Sequence, residues 1–256
     1  MCAGVKHAIE AALSSRGAYC LHGIVHNESV VAGLEAAGCR FTDDIEEIPD
    51  GATVVFSAHG VAPAIRARAA EKGLAVVDAT CPFVARAHRA AREFSARGLP
   101  VVVLGDADHV ETKGVLGEIA DRRAPRLGER IGVVAQTTLD ADEVERAVAD
   151  LRRKYVVDGV AGVCPAAAER QAAVRRFDGD ALVVLGSRGS ANTRRLAEVA
   201  KCRAVVAGGM DELAEIAAGL PPRGKVGLTS GASTPESFFS EALAFLRSLC
   251  CGDAQP

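Results

Sequence analysis

The chain has 256 residues, 49% hydrophobic and 25% charged, with a net charge of −3. That is length and apolar content for one large or two to three small globular domains, and it excludes a disordered or low-complexity chain. Neither a basic stripe nor interleaved aromatics is present, so nothing points to nucleic acid or an anionic membrane as a partner. No run of 18 apolar residues occurs and no charged-then-apolar leader precedes the first helical pattern, so a cytoplasmic chain with no membrane partner is expected. In that setting the 8 cysteines suggest metal or redox chemistry more than a disulfide frame, and the lack of any Cys-x-x-Cys pair argues against a zinc ribbon.

In chain order, Cys2 opens a helical pattern through Val5, Ile9, Ala12 and Leu13. Tyr19 to Val25 reads as a strand ending at His26-Asn27, and Glu28 to Ala37 as a helix stopped by Gly38. Thr53 to Phe56 is a continuous apolar run of the kind that forms a buried parallel strand, and Ser57-Ala58-His59-Gly60 follows it. Helix 62–72 leads to strand Leu74 to Val77, which delivers Cys81. The plan then repeats: helix 82–97, strand Pro100 to Leu104 with a loop through His109 and Glu111, and strand Ile131 to Val134 delivering Gln136-Thr137-Thr138. A helix from Asp140 to Tyr155 has its cap at Asp140, with Glu143 three residues on. It repeats once more: helix 165–177, strand Ala181 to Leu185, a loop 186–193 opening a helix at Arg194, strand Ala204 to Ala207, helix Asp211 to Ala218, strand Lys225 to Leu228 and a last helix from Pro235 to about Leu249.

The repeat has a chemical counterpart. Cys2, Cys81 and Cys164 are separated by 79 and 83 positions, and each opens a helix; Pro82 and Pro165 stand at the first helical position. A cysteine there faces free amide donors and the positive end of the helix dipole, which favour thiolate. Each alone could be a small buried residue, but together they suggest a three-cysteine metal site. Cys20 and Cys39 read as structural; Cys202 and the Cys250-Cys251 pair read as incidental thiols. His26, His59 and His109 follow strands, at the carboxyl ends where α/β proteins bind ligands. They are candidates for holding a phosphate or relaying protons. Ser190-Ala191-Asn192 and Gly231-Ala232-Ser233 combine small residues with hydroxyl and amide groups beside helix starts, as a phosphate cradle does. Glu111 is the best acid candidate, against a plain solvated loop carboxylate. Iron–sulfur clusters usually take four thiolates, so three would leave one iron open as a Lewis acid. A diphosphate cradle, a proton donor and an open iron suggest reductive removal of a hydroxyl from a diphosphate ester.

On these residues the sequence resembles the LytB/IspH family of 4-hydroxy-3-methylbut-2-enyl diphosphate reductases. The matching stretches include Cys2-Ala-Gly-Val-Lys-His, Ile24-Val-His26-Asn27, Ser57-Ala-His59-Gly, Asp78-Ala-Thr-Cys81-Pro, His109-x-Glu111, Gln136-Thr137-Thr138, Gly186-Ser187 to Arg195-Leu196 and Thr229-x-Gly-Ala-Ser233, in order over nearly the whole chain. The resemblance implies an α/β fold of three similar small modules, 1–81, 82–163 and 164–256, in a pseudo-threefold trefoil around a central [4Fe–4S] cluster held by Cys2, Cys81 and Cys164. It implies that His26, His59, Ser190, Asn192 and Ser233 bind the diphosphate of a small allylic substrate, with His109 near the same site. Glu111 would feed protons with Thr137 assisting, and the substrate hydroxyl would coordinate the open iron. Two electrons arriving singly from ferredoxin or flavodoxin would expel water, leaving an allyl anion whose protonation gives isopentenyl and dimethylallyl diphosphates, the last step of the methylerythritol phosphate route.

This sequence departs from the family pattern in places. Cys2 follows the first methionine, where the family has an apolar strand and a Gly-Phe pair before its cysteine. Ala191 replaces a second serine, Ala166 to Ala168 replace threonines after the third cysteine, and His109-Val-Glu111-Thr-Lys replaces His-Pro-Glu-Val-Glu. Three rival readings stay open at this point: a diverged paralogue reducing another hydroxylated substrate or inactive, a non-catalytic iron–sulfur redox sensor, and a cluster-free α/β sugar-phosphate binder.

Overall fold

The protein is described by a computed structural model that covers residues 1–251, with the side chains of Cys250 and Cys251 and all of residues 252–256 outside the description. The incidental thiols expected at Cys250 and Cys251, and the end of the third expected module, therefore lie outside the described residues. The fold is α/β, as expected. Its strands form three all-parallel sheets, each drawn from one part of the chain. The first contains β1 (Tyr19–Leu21), β2 (Arg40–Thr42), β3 (Thr53–Phe56) and β4 (Ala75–Asp78), ordered β2-β1-β3-β4. The second contains β5 (Val101–Leu104), β6 (Arg130–Ala135) and β7 (Val156–Ala161), ordered as in sequence. The third contains β8 (Ala181–Leu185), β9 (Arg203–Ala207) and β10 (Val226–Ser230), ordered β10-β8-β9.

The helices are α1 (Ala3–Ser14), α2 (Glu28–Ala36), α3 (Pro63–Glu71), α4 (Pro82–Ala96), α5 (Val110–Gly117), α6 (Ala141–Arg152), α7 (Pro165–Arg176), α8 (Ala191–Glu198), α9 (Met210–Ala217) and α10 (Glu236–Cys251). Strands covered on both faces must be apolar throughout, and the central strands show it. Every residue of β8 is buried, as are Ile131 to Ala135 of β6 and Val54 to Phe56 of β3. The chain divides into two compact units: one holds Met1–Cys2, His26–Val30 and the chain from Glu169, the other Ala3–Val25 and Val31–Ala168.

Four expectations are corrected. β1 stops at Leu21 rather than Val25 because His22 takes a left-handed backbone, φ 61°, which turns the chain out of the sheet. A helix, α5, replaces the loop expected around Glu111; His109 caps it, and Gly114 and Gly117 had lowered its helical signal. α8 starts at Ala191, three residues before Arg194, because the Ser190 side chain caps it. Two edge strands also went unrecognised: β2 has three residues, and β7 carries Asp158 and Gly159 in its middle. The glycine has a packing reason. The Phe94 ring of α4 lies over Gly132 and Gly159, where a Cβ would come 2.3 and 3.0 Å from ring atoms.

Candidate active site

In the larger unit, the end of β6 delivers Gln136 to Thr138 beside the first turn of α5. The Thr137 backbone N–H donates to Glu111 Oε1 at 2.6 Å and its hydroxyl to Oε2 at 2.8 Å. Glu111 is only 2% exposed, so the solvated reading of this carboxylate is set aside. Burial raises its pKa to about 7, with the two bonds from Thr137 pulling the other way. Thr137 also reaches the third expected cysteine, because its carbonyl accepts from the Cys164 N–H at 2.9 Å. The approach is tight: Gly162, φ 124°, lies where a Cβ would come 1.9 Å from the Ala135 oxygen.

His109 Nδ1 accepts from the Glu111 N–H at 3.2 Å, which leaves Nε2 as the proton-bearing nitrogen of the neutral ring. Its ring meets that of His59 edge-on, centroids 5.8 Å apart. Ser57 Oγ lies 3.3 Å from His59 Nδ1, and the Cys81 N–H bonds to the Ala58 carbonyl at 3.0 Å. His59, Cys81, His109, Glu111, Thr137 and Cys164 thus share this unit.

The other unit holds Cys2, His26, Ser190, Asn192 and Ser233. The Asn27 amide donates to the Ser233 carbonyl at 3.2 Å, and Ser233 Oγ lies 3.3 Å from the His26 carbonyl oxygen. The Cys2 N–H bonds to the Ala232 carbonyl at 3.1 Å. Partial burial, reinforced by the Arg194 charge and opposed by Glu28, holds the His26 pKa below its ordinary value. That shift favours the uncharged imidazole, which binds through hydrogen bonds. Ser190 and Ser233 are buried, Asn192 half-buried. Ala191 opens α8 with no side-chain donor, so that position offers only its backbone N–H.

These loops share a sequence device. Leu104-Gly105-x-x-x-His109-Val-Glu111-Thr112 and Leu185-Gly186-x-x-x-Ser190-Ala-Asn192-Thr193 share one spacing. In each, a glycine with positive φ (159° and 136°) ends the strand and a polar residue caps the helix. A threonine hydroxyl, buried without a hydrogen-bond partner, packs against that glycine, 3.0 or 2.7 Å from where a Cβ would sit. The device makes His109 equivalent to Ser190, and Glu111 to Asn192. The common Gly-to-Thr interval of seven positions was the signal available in sequence.

Cys2, Cys81 and Cys164 are free and half-buried, whereas Cys20 and Cys39 are buried. Cys81 caps α4 and Cys164 immediately precedes α7. A Cβ on Gly4 would come 2.7 Å from Cys81 Sγ, so the chain against that thiol has to stay bare. Each of the three cysteines is an accessible thiol at a helix start, the donor type that soft metals and iron–sulfur clusters take. Among the described residues no group of three or more His, Cys, Asp or Glu side chains is placed to hold a metal ion; a cluster differs in spreading its thiolates over separate metal atoms. No described helix is long and apolar enough to cross a membrane.

Comparison with known proteins adds four findings. The family model described as LytB protein matches residues 1–247. The 4-hydroxy-3-methylbut-2-enyl diphosphate reductase of Acidothermus cellulolyticus is 39% identical over 269 residues, covering 96% of this chain and 79% of that protein. Among solved structures, the E-1-hydroxy-2-methyl-but-2-enyl-4-diphosphate reductase of Plasmodium falciparum superposes with a TM-score of 0.87 at 28% identity, over 96% of this chain and 84% of that one. A second, described as (E)-4-hydroxy-3-methyl-but-2-enyl diphosphate reductase, the terminal enzyme of the non-mevalonate pathway, gives 0.64 at 28% identity over 97% and 96%.

Proposed function

This chain belongs to the LytB family, and from that membership we infer that it is an oxidoreductase reducing 4-hydroxy-3-methylbut-2-enyl diphosphate to isopentenyl and dimethylallyl diphosphate, the terminal step of the non-mevalonate pathway. The reaction takes up two electrons and two protons, breaks the allylic C–O bond and releases the hydroxyl as water. The observation that carries the reading is the buried Glu111 carboxyl, raised to about 7 and held on both oxygens by Thr137. A general acid works best with a pKa near the operating pH, and a redox sensor has no use for one.

Glu111 is the proton donor in this reading. In its acid form its O–H turns toward the Thr137 hydroxyl, which can pass a proton outward to the departing oxygen while the Thr137 amide keeps the carboxyl in place. His26, His59, His109, Ser190, Asn192 and Ser233 bind the diphosphate. Imidazoles, hydroxyls and the amide supply directional donors there, and the α8 N-terminus adds backbone N–H groups. Cys2, Cys81 and Cys164 would hold a [4Fe–4S] cluster, which when bound supplies single-electron transfer and a Lewis-acidic iron. Electrons taken one at a time suit ferredoxin or flavodoxin as donor, in the cytoplasm. The modules 1–81, 82–163 and 164–256 are the units of the repeat.

The test is anaerobic reconstitution with iron and sulfide, then reductant-driven turnover of the hydroxymethylbutenyl diphosphate beside Cys81→Ser and Glu111→Gln. Five-carbon diphosphates from the parent, lost in both variants, are expected. A loaded parent that leaves the substrate unreduced would refute the assignment.

A further inference from the structure

α5 docks through glycines. A Cβ on Gly117 would come 2.7 Å from the Ala62 Cβ, and one on Gly114 would come 3.0 Å from His88 Cε1 and 3.7 Å from the Val61 carbonyl carbon. From the other side Gly60, φ 72°, closes on the same ring, its Cβ position lying 2.9 Å from His88 Nε2. His88 of α4 therefore stands in the seam between α5 and the loop that follows β3. It is 6% exposed. Its Nδ1 lies 2.9 Å from Oε1 of Glu118, a side chain 5% exposed that sits at the C-terminal cap of α5; Arg92 Nη1 approaches the other oxygen at 3.7 Å. His88 Nε2 is buried with no hydrogen-bond partner. The Glu118 contact accounts for Nδ1, but the ring edge that carries Nε2 faces Gly60 and Gly114, a placement that calls for a reason of its own.

The two elements it separates supply that reason. The loop carries His59, one residue before Gly60; α5 carries His109 at its cap and Glu111 in its first turn. We propose that His88 is a positioning residue. Anchored by Glu118, its ring fixes the distance between the loop and α5, and so sets the His59 and His109 rings at the separation that grips a diphosphate. The assignment rests on the diphosphate reading given above. His88 touches neither substrate nor reacting atoms; a glycine on each flank lets its ring gauge the gap directly.

Two variants disturb the gauge from opposite sides. His88→Asn keeps a polar group within reach of Glu118 but removes the part of the ring facing Gly60 and Gly114. Gly114→Ala leaves His88 intact and adds a methyl against it, while by itself favouring the helix. The reconstituted enzyme is assayed for KM and kcat, and the same preparations are titrated calorimetrically with inorganic diphosphate. Both variants should raise KM and weaken diphosphate binding by about tenfold, with kcat changed less than about threefold. His88→Gln, whose amide reaches the Nε2 position, should recover most of the binding. Parent-like KM and diphosphate affinity in Gly114→Ala and His88→Asn, whatever their melting temperatures, would overturn the proposal. So would a loss confined to kcat. A parent that neither binds diphosphate nor turns over would instead overturn the assigned reaction, and this role with it.

Discussion

Glu111→Gln isolates the electrostatic role of the buried acid, because the amide keeps the shape and can still pair with both Thr137 groups. Raising the carboxyl pKa from 4.5 to about 7 corresponds to about 3 kcal/mol of cost to the charged form. Between those two pH values the folded chain binds more protons than the unfolded one, so the parent loses stability as pH rises through the window. The penalty is absent below about 4.5 and complete above about 7. Relative to the parent, Glu111→Gln should therefore gain up to about 3 kcal/mol between about pH 5 and pH 8, read from urea unfolding of both proteins across that range. Activity should show the same group. About half the parent carboxyls are protonated at pH 7, against less than about 1% for an ordinary glutamate. Parent turnover should fall about tenfold per pH unit above that point, while Glu111→Gln, slower by about 10²–10⁴, should lack that limb. A stability difference independent of pH, together with an alkaline limb that survives in the variant, would refute the argument.

Other perturbations follow from the same contacts. Thr137→Val removes one of the two bonds that hold the Glu111 pKa down against burial, so the alkaline limb of the pH–rate profile should move to higher pH, with about 1 kcal/mol lost in denaturant unfolding. Cys81→Ser should retain less iron and sulfide per chain after reconstitution. Cys20→Ser should match the parent in that assay, since Cys20 lies buried in β1 with its pKa pushed up to about 12. Gly231→Ala would place its methyl 2.2 Å from Thr193 Oγ1, costing about 1–3 kcal/mol in thermal unfolding and weakening diphosphate binding, because the loop that carries Ser233 has to shift. Adding Thr193→Ala should recover most of both losses, and strictly additive effects would contradict the contact.

Much of the fold was legible wherever the signal is local. β3 and β8 run over the residues expected, because a strand covered on both faces is a continuous apolar run. Asp140 caps α6, accepting from the Glu143 N–H at 2.9 Å. Legibility failed where the determinant lies elsewhere in the chain. α5 is poor in helical signal because Gly114 and Gly117 serve its close approach to His88 and Ala62. β7 hides behind Asp158 and Gly159, the first paired with Arg97 and Arg130, the second lying under Phe94.

Local signals carried the α/β class and the three cysteines at helix starts. These depend on periodicity, capping and spacing within some ten to fifteen residues. Long-range packing is what buries Glu111, brings Thr137 from 26 positions away onto both its oxygens, and sets His88 between the His59 loop and α5. A carboxyl's pKa and the gap between two elements are set by what packs around them, and those neighbours come from distant parts of the chain.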